Sequence, residues 1–290
     1  NNYNKRRQMT IKQTVKKYTN LLREVTHIPA KEVEVLMMHI LDKNIIWLHL
    51  NYDKEFTQEK ELEKLVKKRA TNFPMEYIIS KATFYGENFN VKEGVLIPRP
   101  ETELLVENAV EILNKESNKQ ESKVKVLEIG TGSGIISVML AKLIETIEII
   151  AVDINDKALD LAKQNAEKHG VEDKITFIKS DLYESINDVD SNDIFMTISN
   201  PPYIADDYKL PSNVKYEPSN ALFGGKMGDE LLKRIIDDTY AKKINYLLCE
   251  MGYDQKKPLE EYFKDFSVKS YSFYKDYEDF DRGFTLQFKY

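Results

Sequence analysis

Between residues 10 and 70 the apolar positions recur every three or four residues, and no strand-like alternation interrupts them. Val15, Tyr18, Leu21, Leu22 and Val25 form one such stripe, and Val33, Val35, Leu36, Met37, Ile40 and Leu41 form another after a start at Pro29. Leu62, Leu65, Val66 and Arg69 continue a further one. A period near 3.6 places each set on one helix face, so the spacing predicts a small helical domain over 1–80. From 82 to 97 the texture changes to ATFYGENFNVKEGVLI, with aromatic and β-branched residues around Gly86. That pattern predicts a β-hairpin linker over 81–97. A helix is expected over 101–113, followed by a polar connector over 114–123.

Farther along, short apolar runs alternate with helical stripes. Strands are expected over 124–129, 147–153, 175–178, 194–199 and 246–249. Helices are expected over 133–144, from 155 or 156 to about 169, and over 229–240. Such alternation implies a mostly parallel sheet covered on both faces. Two more β-type runs, 268–274 and 284–290, imply an antiparallel strand at the sheet's end. The expected fold class is α/β: a Rossmann-like domain over 98–290 preceded by the helical domain and the hairpin.

Composition narrows the function classes. No apolar run reaches the roughly 18 residues of a membrane span, and Lys142 and Glu145 interrupt the best candidate. The start, NNYNKRRQMT, is basic without an apolar stretch behind it, so no secretory signal is expected. The single cysteine, Cys249, excludes an internal disulfide and suits a reducing cytoplasm. Four scattered histidines and no CxxC argue against a structural zinc site, so no metal is expected. The net charge of −6 divides into +5 over residues 1–80 and −11 over the remainder. That basic excess is too small to argue for nucleic-acid binding.

Three features carry chemistry. The stretch VLEIGTGSGII ends one expected strand and opens the next helix, with Gly130, Gly132 and Gly134 alternating around Thr131 and Ser133. A dinucleotide fingerprint would need glycine at 135, where Ile135 stands, and a P-loop would need Lys-Ser or Lys-Thr after the last glycine. The alternating form instead resembles the nucleoside-binding turn of S-adenosylmethionine-dependent methyltransferases. Glycines there let backbone pass close beneath a ligand. Asp153 ends the second strand, where a carboxylate can accept from both ribose hydroxyls; capping the next helix is the alternative, but Asn155 and Asp156 are available for that. Asp181 ends the third, where this fold holds the adenine amino group, and Leu182 can pack on the ring.

The third feature is TISNPPYIAD, 197–206. Pro201 and Pro202 offer no backbone N–H, so the apolar run before them must stop there. Methyltransferases acting on planar NH2 nitrogens carry an Asn-Pro-Pro-Tyr turn of this kind. The Asn200 side-chain oxygen and the Pro201 carbonyl can each accept one N–H of such a group, and Tyr203 offers a flat face. Proline fixes φ, so that carbonyl is aimed before binding. The turn alone does not choose between glutamine and adenine.

Seven segments together resemble the peptide chain release factor glutamine N5-methyltransferases: PMEYII, FYG, VLIPRPETE, LEIGTGSG, ISNPPYI, YEPSNALFGG and EMGYDQ. The resemblance spans about 74–290, and its most specific piece is IPRPETE. It implies a class I methyltransferase domain that uses S-adenosyl-L-methionine. The family's substrate is the glutamine of the Gly-Gly-Gln motif in class 1 peptide chain release factors. It further implies that Gly130 to Gly134, Asp153, Asp181, Leu182 and Asn200 contact the cofactor. Asn200, Pro201, Pro202 and Tyr203 would hold the glutamine, with Arg99 and Glu101 in the wall of its pocket. A cytoplasmic monomer with no nucleic-acid or membrane partner is the matching expectation. The competing readings are an adenine N6-methyltransferase of DNA or RNA, a methylase of another protein's glutamine, and a non-catalytic cofactor-binding module. The first would need a strongly basic surface, and the last has no use for an intact Asn200 and Tyr203.

Overall fold

The computed structural model describes residues 8–117, 123–187 and 193–290. Most of the basic start and the middle of the polar connector expected over 114–123 lie outside those residues. The chain divides into two compact units, Asn1–Ser80 with Pro211–Tyr216, and Lys81–Leu210 with Glu217–Tyr290.

The first unit is helical: α1 Ile11–Thr19, α2 Pro29–Leu41, α3 Ile45–Leu50, α4 Glu59–Arg69 and α5 Met75–Ile79. Thr10 starts α1 with a capping box, its hydroxyl accepting from Gln13 N at 3.2 Å while the Gln13 side chain accepts from Thr10 N at 3.0 Å. That reciprocal pair satisfies two donors a helix start would otherwise leave unused. Ile11, Val15, Tyr18, Leu22, Val33, Leu36, Met37, Leu48, Leu62 and Val66 close into one core. Arg69, read from the sequence as part of a stripe, is buried through its pairing with Glu32 at 2.7 Å. The segment Pro211–Tyr216 joins this unit through Tyr216, whose hydroxyl donates to the Thr71 carbonyl at 2.8 Å and whose ring meets Phe73 edge-on.

The second unit opens with a tight hairpin, β1 Lys81–Phe84 and β2 Glu87–Asn90. Tyr85 and Gly86 both have positive φ, 54° and 73°, the two-residue turn whose twist matches paired strands. The hairpin ends at Asn90, so residues 91–97 are not strand. Then come α6 Thr102–Ser117, β3 Val124–Ile129, α7 Ile135–Leu143, β4 Ile147–Asp153, α8 Asp156–Lys168 and β5 Ile175–Lys179. After β6 Ile194–Ser199 follow β7 Ile204–Ala205, β8 Phe223–Gly225, α9 Glu230–Ala241, β9 Tyr246–Glu250, α10 Lys256–Phe263, β10 Val268–Lys275 and β11 Asp281–Phe288.

Seven strands form the central sheet in the order β10-β11-β9-β6-β3-β4-β5. The five from β9 to β5 run parallel, and β11 is antiparallel to both of its neighbours. The antiparallel strand therefore lies one position in from the edge, with β10 outside it. Strand residues alternate between two cores, as the two-residue pleat requires. Val126, Ile149, Met196 and Leu248 meet α6 and α7, whereas Leu127, Ile150, Leu247 and Cys249 meet α9 and α10. Strand order reverses beside β3, which has β4 on one side and β6 on the other. A crevice beyond the carboxyl ends of strands at such a switch point is where open α/β sheets place ligands.

Candidate active site

The glycine turn is held from three directions. Gly130 N and Thr131 N both donate to the Val152 carbonyl at 2.9 Å, and Gly132 N donates to Asp153 Oδ2 at 2.9 Å. Below it, Glu128 Oε2 accepts from Thr131 Oγ1 at 2.9 Å, from Ser137 N at 3.2 Å and from the Ser137 hydroxyl. Gly130, Gly132 and Gly134 have φ of 71°, 55° and 83°, a region that costs a residue with a Cβ. Gly134 has a second reason: a Cβ there would lie 2.9 Å from Ala162 Cβ of α8. At Gly130 and Gly132 a Cβ would meet no protein atom within 4 Å, and both residues line a cavity of about 280 Å³.

Asp153, Asp181, Leu182, Asn200, Pro201 and Pro202 line that same cavity. Asp153 also serves its neighbours, accepting from Asn155 N at 2.9 Å as well as from Gly132. Burial raises its carboxyl group above the usual range, against the lowering pull of backbone donors at Asn155, Gly132 and Ile154. Helix capping falls to Asn155, whose side chain accepts from Lys157 N. Asp181 stands 3.8 Å from Arg234, and Leu182 is buried with a φ of 48°.

The Asn-Pro-Pro-Tyr turn leaves the end of β6 and is fixed by side chains distant in sequence. Asn200 Nδ2 donates to Thr102 Oγ1 at 3.2 Å, and Thr102 Oγ1 donates to Glu250 Oε2 at 2.7 Å. The Tyr203 hydroxyl donates to the other Glu250 oxygen at 2.9 Å, and Gln255 Nε2 donates to the Tyr203 carbonyl at 2.8 Å. Short β7–β8 pairing carries the chain away, and Gly224 lets it pass close by, since a Cβ there would sit 2.4 Å from the Pro202 oxygen. Glu250 is fully enclosed, so desolvation pushes its carboxyl group up, while the Thr102 and Tyr203 donors pull it down. Burial, then the nearby Glu250 charge, raises the Tyr203 phenol far above its ordinary value. Tyr203 therefore stays protonated and works as a donor, not as a base.

Several expected residues face elsewhere. Thr131 and Ser133 are buried under the turn, the second through its carbonyl, which accepts from Asn165 Nδ2 at 2.7 Å. Arg99 pairs with Glu217 at 2.6 Å, and Glu217 also accepts from Ile97 N at 2.9 Å. That pair pins the 97–99 loop to the segment that continues into Pro218, Asn220 and Ala221 of the cavity wall. Glu101 is half-buried, and its charge acts on Glu250. Thr102, Glu128, Glu217, Glu250 and Gln255 were not singled out by the sequence reading. A signal existed for two of them: a carboxylate inside an otherwise apolar parallel strand, as in VLEIG and LLCEM, is out of keeping with burial on both faces. Among the described residues no group of three or more His, Cys, Asp or Glu could hold a metal ion, and no helix is long and apolar enough to cross a membrane.

Two family models match the chain: a methyltransferase small domain over residues 102–215, and the PrmC N-terminal domain over 13–79. The release factor glutamine methyltransferase of Aquifex aeolicus is 32% identical over 279 residues, which cover 93% of this chain and 95% of that protein. That of Dictyoglomus turgidum is 41% identical over 211 residues, 70% of this chain and 71% of its own length. A bifunctional methyltransferase of Rickettsia conorii is 32% identical over 95% of this chain, which spans only 57% of that longer protein. Among solved structures, the hMettl16 catalytic domain in complex with an RNA hairpin superposes with a TM-score of 0.54 at 20% identity, over 70% of this chain and 76% of its own. That likeness concerns the fold alone, a class I methyltransferase sheet. Full-length similarity at 32% identity, together with a matching amino-terminal model, means that the chain belongs to the release factor glutamine methyltransferase family.

Proposed function

We propose that this chain methylates the side-chain amide nitrogen of the glutamine in the Gly-Gly-Gln motif of class 1 release factors, with S-adenosylmethionine as donor. One observation carries the acceptor chemistry, and family membership supplies the choice of glutamine over adenine. Asn200 and Pro201 stand on the cavity that also holds the glycine turn and Asp153, and the Asn200 amide nitrogen is turned away to Thr102. The Asn200 oxygen and the Pro201 carbonyl are then two acceptors with no protein donor among the described residues.

The residues present fit the cofactor. Open space above Gly130 and Gly132 leaves room for a ligand against bare backbone. Asp153 keeps lone pairs for ribose hydroxyls beyond its backbone donors. Glu128 Oε1, beneath the turn, is buried with no hydrogen-bond partner among the described residues. When bound, S-adenosylmethionine supplies an electrophilic methyl on a sulfonium.

The chain's own work is positioning. An amide nitrogen is a poor nucleophile because its lone pair is delocalised. Asn200 Oδ1 would accept one N–H and the Pro201 carbonyl the other, holding the nitrogen and favouring a more tetrahedral geometry. Both acceptors are fixed before the substrate arrives, so little reorganisation accompanies transfer. The methylated nitrogen is acidic and releases its proton to water, so no histidine base is required. Incubation with labelled cofactor and either intact release factor or adenine-containing RNA and DNA tests the assignment. Label on the Gly-Gly-Gln glutamine alone is the expected result. Label on nucleic acid, with none on the factor, would replace the proposal by the adenine reading.

A further inference from the structure

Glu250 does not line the cavity, yet it stands at the centre of the polar cluster behind the turn. Both of its oxygens accept, one from Thr102 Oγ1 at 2.7 Å and one from the Tyr203 hydroxyl at 2.9 Å. A hydroxyl has a single proton to give. With that proton committed to Glu250, Thr102 Oγ1 can only accept, and what it accepts is an Asn200 Nδ2 hydrogen at 3.2 Å. An asparagine side chain has one oxygen and one NH2, so fixing the nitrogen fixes the oxygen. The reversed amide would set Asn200 Oδ1 against a Thr102 oxygen with no hydrogen left for it.

We infer that Glu250 and Thr102 are positioning residues that hold the Asn200 amide with its oxygen toward the cavity, so that the turn presents an acceptor and never a donor to the substrate nitrogen. The inference rests on the glutamine-amide reading given above. Its own content is the order of polarity, carboxylate to hydroxyl to amide. Glu250→Gln reverses that order, because a glutamine NH2 can donate to Thr102 and free the threonine proton for Asn200. Thr102→Val removes the relay at nearly constant volume, and Thr102→Ser keeps it.

The test compares turnover on an intact class 1 release factor, cofactor affinity and melting temperature across these variants. Thr102→Val and Glu250→Gln are expected to turn over roughly 10- to 100-fold more slowly, with cofactor affinity within about threefold of wild type. Thr102→Ser should stay within about threefold of wild type, a rescue that a packing role for the methyl group would not produce. Wild-type turnover in Thr102→Val overturns the relay, as does a Thr102→Ser variant as slow as Thr102→Val. Asn200→Ala separates the two levels: if it transfers normally the acceptor reading itself falls, and if it alone is slow only the relay falls. A measurement without substrate completes the set. In 15N-labelled protein the Asn200 side-chain NH2 pair, assigned by its loss in Asn200→Ala, should be protected from exchange in wild type and Thr102→Ser. It should lose protection in Thr102→Val, and unchanged protection there overturns the inference whatever the substrate proves to be.

Discussion

The two ends of the cavity are held by different means. At the glycine turn most of the donors are the turn's own backbone amides, and the chain distances are short: Gly132 reaches Asp153, 21 residues on, and Thr131 reaches Glu128, three residues back. At the Asn-Pro-Pro-Tyr turn the supports are side chains drawn from across the unit, with Asn200 and Thr102 98 residues apart and Thr102 and Glu250 148 apart. A turn that must bring backbone against a ligand can be written as a contiguous glycine motif. An acceptor that must face one way needs partners behind it, and the fold brings them from the start of α6 and the end of β9. The difference is also one of charge. Two buried carboxylates, Glu128 and Glu250, are pushed upward by desolvation, but Glu250 has donors on both oxygens while, among the described residues, one oxygen of Glu128 has none.

That contrast can be sharpened first at Glu128, where the largest stability effect is expected. Burial raises its carboxyl group to about 7 from an ordinary 4.5, against the Ser137 and Thr131 donors. Between those two values the folded chain keeps a proton that the unfolded chain has lost. Its contribution is therefore fully present below pH 4.5 and fades as pH rises to about 7, by up to about 3 kcal/mol. Urea unfolding of the cofactor-free protein at pH 5 and pH 8 should show this decline, and Glu128→Gln should flatten it. An equal decline in Glu128→Gln would assign it to other groups.

Asp153→Ala probes the same end through the ligand. Loss of a charge-assisted hydrogen bond is worth about 1.5–3 kcal/mol, or roughly 10- to 150-fold in S-adenosylmethionine affinity by calorimetry. Because Asp153 also holds Gly132 N, part of that loss should appear as a lowered melting temperature without cofactor. Unchanged affinity would mean that the nucleoside lies elsewhere.

A smaller effect is expected at Arg99, which ties the 97–99 loop to Glu217. Its partner Glu217 has a side chain only 2% exposed, and Arg99 itself is 30% exposed. Arg99→Ala should cost about 1–3 kcal/mol of stability by leaving a buried carboxylate short of a donor, and Glu217→Gln added to it should return part of that. A rise in KM for release factor with no change in stability would instead make Arg99 a substrate contact.

What could be read from the sequence follows the same division. Strands β3, β4 and β6 were legible to the residue because their β-branched runs end at Gly130, Asp153 and the paired prolines, each a strong stop. The turns themselves were legible because their chemistry is contiguous. Helix α10 was not read, since KKPLEEYF is short and carries Pro258 near its start, a residue tolerated only in a first turn. Nor was the strand β7–β8 pairing, which is too short to leave a periodic trace. Thr102, Glu250 and Gln255 escaped because their partners are remote in sequence: Thr102 lies 98 residues from Asn200, and Tyr203 lies 47 from Glu250 and 52 from Gln255. Arg99 stood in a distinctive motif, but only the structure shows that its guanidinium is taken up by Glu217.

Single-turnover transfer by Asn200→Ala tests the central claim most directly, with S-adenosylmethionine affinity measured on the same preparation. If Asn200 holds the reacting amide, transfer to an intact class 1 release factor should fall by about 100-fold or more, because an N–H is left unpaired and the nitrogen misaligned, while affinity changes by less than about threefold. Transfer at the wild-type rate with that oxygen gone would contradict the acceptor account.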